Sequence, residues 1–168
     1  MKNDRQKGFG AVHWSLLAAA AALLAAVGYL FALPAYEDYK VRSKVSEVFV
    51  SVDACRALVT QVVQSTSAPM LSTALFSCDG GASSGAKISR HLSSIAVRAT
   101  GAITVTLDYR SLPELTRTSS TLTLVPLADA NTALGSGDVR RPIFAWRCGS
   151  PQDGTTIPAR YLPSNCRG

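Results

Sequence analysis

Charge is what this chain has least of. Only 17% of its 168 residues are charged, and between Lys7 and Glu37 no side chain carries a formal charge. With 47% hydrophobic residues, so little charge excludes a chain that stays disordered throughout. Aromatics are scarce at 7%, which leaves most arginines without a stacking partner. There are two histidines, His13 and His91, and four cysteines, Cys55, Cys78, Cys148 and Cys166, with no closely spaced pair among them. That spacing argues against a zinc or dithiol redox site and against a nucleophile with its base. No glycine-rich phosphate loop appears, and acids such as Asp108 and Glu114 stand singly rather than as a positioned pair. An enzyme is not expected, nor is a cofactor or a metal. His91 reads as a solvated or hydrogen-bonded loop residue.

What is present is unevenly spread. Trp14 to Leu33 forms a nearly unbroken apolar run of bilayer-spanning length. A cleaved secretory signal usually has a shorter apolar core followed by a small-residue cleavage site, so an anchor fits better. Lys2, Arg5 and Lys7 precede the run, and the positive-inside tendency puts residues 1–8 in the cytoplasm and the chain after Pro34 across the membrane, in a bacterium the periplasm. From Phe9 onward 14 basic and 10 acidic groups remain, a mild +4. On the oxidising side the four cysteines read as disulfides. They allow three pairings, among which sequence does not choose. Neighbour pairing, Cys55 with Cys78 and Cys148 with Cys166, is expected because each bond would staple one local loop, worth roughly 3 kcal/mol. A buried free thiol at Cys55 is the alternative.

Residues 15–33, rich in Ala, Leu and Val, predict a helix, since lipid demands that every backbone polar group be satisfied internally. Pro34 predicts a bend or weakened turn without ending the helix. Beyond it Val41, Val45, Val48, Val52, Cys55, Val59 and Val62 recur at alternating threes and fours, an amphipathic stripe that predicts a helix laid on a core and ending near Ser65 to Pro69. Together the two halves would span about 84 Å at 1.5 Å per residue, too long for so small a domain to bury. A short coiled coil is the competing reading of the stripe. Met70 to Arg90, with Gly80, Gly81 and Gly85, reads as a surface loop with one helical turn, anchored by Cys78. Alternation then predicts strands: Ile95 and Val97, a turn at Thr100 and Gly101, Ile103 to Leu107, a third strand with Leu122 and Leu124, and a fourth at Ile143 to Cys148. The expected class is α+β, a long N-terminal helix packed on a four-stranded antiparallel sheet with a disulfide-closed C-terminal loop.

Three stretches carry a resemblance: Lys7, Gly8 and Phe9 before the apolar run; Ala32 to Tyr39, reading ALPAYEDY; and Trp146 to Arg167, with Cys148, the stretch IPARYLPSNC and Cys166. In this order they resemble a type IV pilin of the type a group. The resemblance implies a pilin fold with a leader 1–8, a membrane and filament-core helix 9–35, and a periplasmic head 36–168. Within the head it implies a helix 36–66, a loop 67–91, a sheet 92–148 and a C-terminal disulfide loop 148–166. It also implies cleavage by a prepilin peptidase between Gly8 and Phe9, N-methylation of Phe9, storage in inner-membrane lipid, and assembly with other pilin subunits into a pilus serving adhesion and twitching motility. A cut after Gly10 would leave Ala11 first and Ser15 fifth, and Gly8 is preferred. Small residues from Ala18 to Ala26 would allow close helix approach.

Two departures from the family pattern stand out. His13 occupies the fifth mature position, where the family carries a glutamate thought to pair with the amine of a neighbouring subunit. Imidazole supplies no negative charge there. Pro34 also stands about one helical turn further from Phe9 than the pattern. Both imply a minor or accessory pilin as the alternative to a major subunit, with a secretion-system pseudopilin as a further one. Residues 87–168 carry ten basic and five acidic side chains, and Arg140, Arg141, Arg147 and Arg160, with Arg167 nearby, are a candidate patch for DNA or an anionic host surface. An ordinary solubilising surface is the competing reading.

Overall fold

The computed structural model describes residues 4–78 and 90–168, with side chains from residue 10 onward except residues 11 and 12. The glycines expected to shape the loop at 80, 81 and 85 therefore lie outside the described residues. One helix, α1, runs from Asp4 to Ser65. It starts ahead of the expected leader junction and passes through Pro34, whose missing N–H leaves the Leu30 carbonyl without its intrahelical donor. The chain divides into two compact units, one ending at Tyr39 and the other Lys40–Gly168.

In the second unit the valine stripe is the buried face of α1. Val41, Val45, Val48, Val52, Cys55, Val59 and Val63 are all core residues. The expected last member was Val62; the structure puts Val63 in the core and leaves Val62 half-buried, because steps of four from Cys55 keep to the buried face where the step of three to Val62 rotates off it. Past Ser65 a single 3-10 turn, Thr73–Leu75, fills the described part of the expected loop.

Four strands form an antiparallel meander in sequence order: β1 Leu92–Val97, β2 Ile103–Leu107, β3 Thr121–Leu127 and β4 Ala145–Cys148. β4 starts two residues later than expected, although the Phe144 N–H already reaches the Leu127 carbonyl at 2.9 Å. In β2 the period of two is plain, with Ile103, Val105 and Leu107 buried and Thr104 and Thr106 half-exposed. β1 breaks it. Its pairing with β2 jumps from Leu92↔Leu107 to Ser94↔Thr106, so Ser93 is a bulge residue and Leu92 and Ile95, three apart, both enter the core.

The β1–β2 turn needs its glycine. Gly101 has φ +78, a region that L side chains rarely adopt, and a Cβ there would lie 3.2 Å from Val59 Cγ1. Leu92, Ile95, Ile103, Val105, Leu107, Leu122 and Leu124 join the helical valines in one hydrophobic cluster. The sheet's inner face and the stripe are thus the two layers of a single α+β core. His91, in the turn just before β1, is hydrogen-bonded, as one of its two readings expected, rather than solvated: it is buried, its Nδ1 is 2.9 Å from Ser111 Oγ, and its Nε2 is 3.8 Å from Glu47 Oε2.

Candidate functional site

Two features of the chain are candidates for function, and they follow from opposite physics. The first is the upstream half of α1. From His13 to Glu37 every residue is exposed, including Trp14 at 75% and Leu24 at 74%. At about 100° per residue, Trp14, Leu16, Leu17, Leu23, Leu24, Val27, Tyr29, Leu30, Phe31 and Leu33 surround the helix with no gap wider than roughly 60°. A helix apolar all round has no polar face to give water, and this one is long and apolar enough to cross a membrane. His13 lies at the start of this exposed segment. Gly8 and Phe9 fall within α1, and the side chain of Phe9 lies outside the described residues.

The second is the C-terminal segment from Cys148. Both disulfides join the expected neighbours, Cys55 to Cys78 with Cα atoms 5.1 Å apart and Cys148 to Cys166 with Cα atoms 4.6 Å apart. The loop closed by the second bond is no loose flap. Ile157, Tyr161, Leu162 and Cys166 are buried in the main cluster. Beyond the end of β4 the loop covers the free edge of β3: the Gly149 N–H donates to the Thr123 carbonyl at 3.1 Å and the Thr156 N–H to the Thr121 carbonyl at 2.8 Å. The hydroxyls of Thr155 and Thr156 accept the N–H groups of Thr123 and Thr121, each at 3.1 Å. An edge that would otherwise be open to pairing is thereby satisfied. Gly149, at φ +80, passes so close that an added Cβ would strike the Cys166 carbonyl.

The arginines are held by separate local partners. Arg147 makes a two-pronged pair with Asp153, Nε to Oδ2 and Nη2 to Oδ1 both at 2.7 Å, which ties β4 to the first turn of the loop and raises the guanidinium's affinity for its proton. Arg141 Nη1 pairs with Asp138 Oδ1 at 2.7 Å, while Asp138 Oδ2 accepts the Gly135 N–H. The Gly135 N–H first, and Arg141 second, hold the Asp138 carboxyl below its ordinary range. Arg160 stacks on Tyr161, 4.7 Å from the ring centroid, and its carbonyl accepts Arg42 Nη2 at 2.8 Å. Arg140 has φ +56, and its backbone N–H caps the Val63 carbonyl at the end of α1 at 2.8 Å.

Arg42 and Val63, the contacts of Arg160 and Arg140, lie about 31 Å apart along one helix, so these two arginines mark opposite ends of the second unit. Arg140 and Arg141 are neighbours, but the four do not converge on one spot. Sequence reasoning missed the backbone role of Arg140, which side-chain chemistry does not announce. It also missed the threonine cover of β3, since Thr155 and Thr156 stand more than thirty positions from the β3 threonines they meet.

An all-round apolar helix and an α+β head with a disulfide-closed C-terminal loop set the architectural class, and comparison with known proteins gives the family. The family of pilins, bacterial filament proteins, matches residues 41–167, the larger part of the chain. A fimbrial protein, EcpC, of Eikenella corrodens is 27% identical over 169 aligned positions, which take in 99% of this chain and 94% of that protein. The crystal structure of a Pseudomonas aeruginosa type IV pilin superposes with a TM-score of 0.55 at 25% identity, covering 76% of this chain and 97% of that one. The chain belongs to the pilin family, with the fold of a type IV pilin, and is a pilin subunit of a fimbrial or pilus structure.

Proposed function

We propose that the chain polymerises through its N-terminal helix into a type IV pilus that serves adhesion and twitching motility, after a prepilin peptidase cuts between Gly8 and Phe9 and Phe9 is N-methylated. Before assembly the precursor waits in the inner membrane with its head on the periplasmic side. The observation that carries this reading is the helix exposed and apolar around its whole circumference from Trp14 to Leu33. Such a surface is stable in lipid, and it is equally stable when lipid is exchanged for the helices of sister subunits. The test is mass spectrometry of sheared surface filaments. The expected result is this chain beginning at a methylated Phe9; a mature chain beginning beyond Leu33 would end the proposal.

A second reading, that the chain is a minor or accessory pilin, is favoured by His13 at the place of the family's glutamate. An imidazole cannot supply the negative charge that would meet a neighbouring amine. Replacing His13→Glu should increase incorporation into sheared filaments, and unchanged incorporation would count against this reading. Binding to DNA through Arg140 and Arg141 is the narrower form of that role. It predicts salt-dependent retention of DNA that weakens in the Arg140→Ala, Arg141→Ala variant.

A further inference from the structure

One cluster of charged groups is used neither by the core, nor by the apolar helix, nor by the C-terminal loop. The segment from Asp108 to Ser120 joins β2 to β3 and carries Tyr109, Arg110 and Arg117. Arg117 Nη2 donates to Tyr109 Oη at 3.2 Å, with its guanidinium 5.7 Å from the ring centroid, and Arg110 is the next residue along the chain. A phenol oxygen that accepts from a guanidinium still has its own proton to give to an outside acceptor. The Arg117 hydrogen bond first, and the neighbouring Arg110 second, hold the phenol below its ordinary range, which makes it a stronger donor.

Among the described residues neither Arg110 nor Arg117 is paired with a carboxylate. Arg90, exposed, adds a third cation at the same end of the sheet, since the carbonyl of the next residue, His91, accepts the Asp108 N–H at 2.9 Å. Beside the phenol is a hollow of about 290 Å³ lined by Ser93, Asp108, Tyr109 and Arg110. Ser93 is the bulge residue, and the bulge turns it out of the core to the surface. Asp108 is buried, and its Oδ1 accepts the Arg110 N–H at 3.1 Å, which fixes the backbone from which Arg110 extends.

We propose that this hollow binds a terminal acidic sugar unit, its carboxylate received by the Tyr109 hydroxyl and the guanidiniums of Arg110 and Arg117, and its ring hydroxyls by Ser93. The hollow lies just below the range of about 300–1,000 Å³ that holds drug-sized ligands, which suits one sugar ring. Two guanidiniums with a phenol donor match a planar oxyanion. The proposal rests on the adhesive reading for its use by the cell, but the binding itself does not require a filament.

The full-length chain in detergent micelles, titrated with sialyllactose and in parallel with lactose, tests the site. Sialyllactose should bind at least tenfold more tightly than lactose. Tyr109→Phe should weaken it by about tenfold to a hundredfold through loss of one hydrogen bond to a charged group, and Arg110→Ala with Arg117→Ala should remove the preference. Arg98→Ala, an exposed control beyond the far end of β1, should change nothing, and unchanged thermal unfolding of each variant will show that the head is intact. Equal binding of the two sugars would overturn the proposal. Binding untouched by the Tyr109 and arginine variants, or tighter binding of inorganic sulfate or a short oligodeoxynucleotide at the same residues, would overturn it too. A chain that binds sialyllactose but is absent from surface filaments would refute the assembly reading and leave this site standing, and the reverse pair of results would refute the site alone.

Discussion

The two halves of α1 both carry many apolar residues, and their apolar surfaces meet different fates. From His13 to Glu37 no side chain is buried, whereas beyond Tyr39 a single stripe from Val41 to Val63 is almost wholly buried. Val50 and Val52 make the point within two residues: Val50 is 75% exposed and Val52 fully buried, because two steps along a helix turn the side chain to the far face. What distinguishes the halves is that the upstream one has no charged side chain between Lys7 and Glu37, while downstream Lys40, Arg42, Lys44, Glu47, Asp53 and Arg56 confine the apolar residues to a stripe. A stripe can be covered by one sheet; a full circumference needs a medium or several neighbours. The head therefore folds around its half of the helix, while the other half is left exposed.

The largest expected effect comes from placing a charge in each half. Val52→Asp buries a carboxylate in the core and should remove cooperative thermal unfolding of the head, at a cost of several kcal/mol. Leu24→Asp should leave the melting of the head within about 0.5 kcal/mol of the parent, yet disfavour the membrane state by roughly 3 kcal/mol and deplete the chain from sheared filaments. Should both variants melt alike, the two halves are not energetically separate and the comparison fails.

Next in size is the Cys148–Cys166 bond. Cys148→Ser with Cys166→Ser should lower stability by roughly 3 kcal/mol in chemical denaturation. The head should still fold, because Ile157, Tyr161 and Leu162 are buried in the core independently of the bond. Loss of all tertiary structure in near-ultraviolet circular dichroism would mean that the loop is held by sulfur alone.

Gly149→Ala should cost about 2–3 kcal/mol, since it combines a positive φ with a collision against the Cys166 carbonyl. Gly137→Ala, where an added Cβ meets nothing within 4 Å, should be close to neutral. Thermal melts of the pair measure how tightly the loop is packed, and equal melts would contradict the close approach. The smallest effect belongs to the Arg141–Asp138 pair, half-exposed and therefore worth no more than about 1 kcal/mol in Arg141→Ala. The folded protein holds Asp138 below its ordinary range, so its stabilisation is present above the usual carboxylate value of about 4 and disappears as the pH falls through the lowered one. Parent and variant stabilities should converge in acid, and a gap that widened there would reverse the sign.

Much of this molecule is legible in its residues because the signals are periodic. The valines at threes and fours located the buried face of α1 to within one residue, and the alternation in Ile103, Val105 and Leu107 located β2 and its inner face. Thr100 and Gly101 marked a turn that the structure places between β1 and β2. The lapses occur where periodicity is interrupted or where the backbone acts. The bulge at Ser93 hides in an unremarkable pair of serines. The cover of β3 by Thr155 and Thr156 depends on residues more than thirty positions away. The four arginines looked like one patch only because side-chain charge is visible in a sequence and its partners are not.

By itself the sequence determined the local matters: which segment is too apolar for water, which faces of helix and strand turn inward, and where the chain turns. These follow from each residue's transfer free energy and from the periods of helix and strand, which short windows contain. Only the tertiary structure decided that Cys148 meets Cys166, that the C-terminal loop seals the edge of β3, that Arg140 and Arg160 lie at opposite ends of the head, and that Tyr109, Arg110 and Arg117 gather beside a hollow. Those outcomes are set by packing among segments distant in the chain, where close contact and the pairing of every buried polar group choose one arrangement from the many that composition allows.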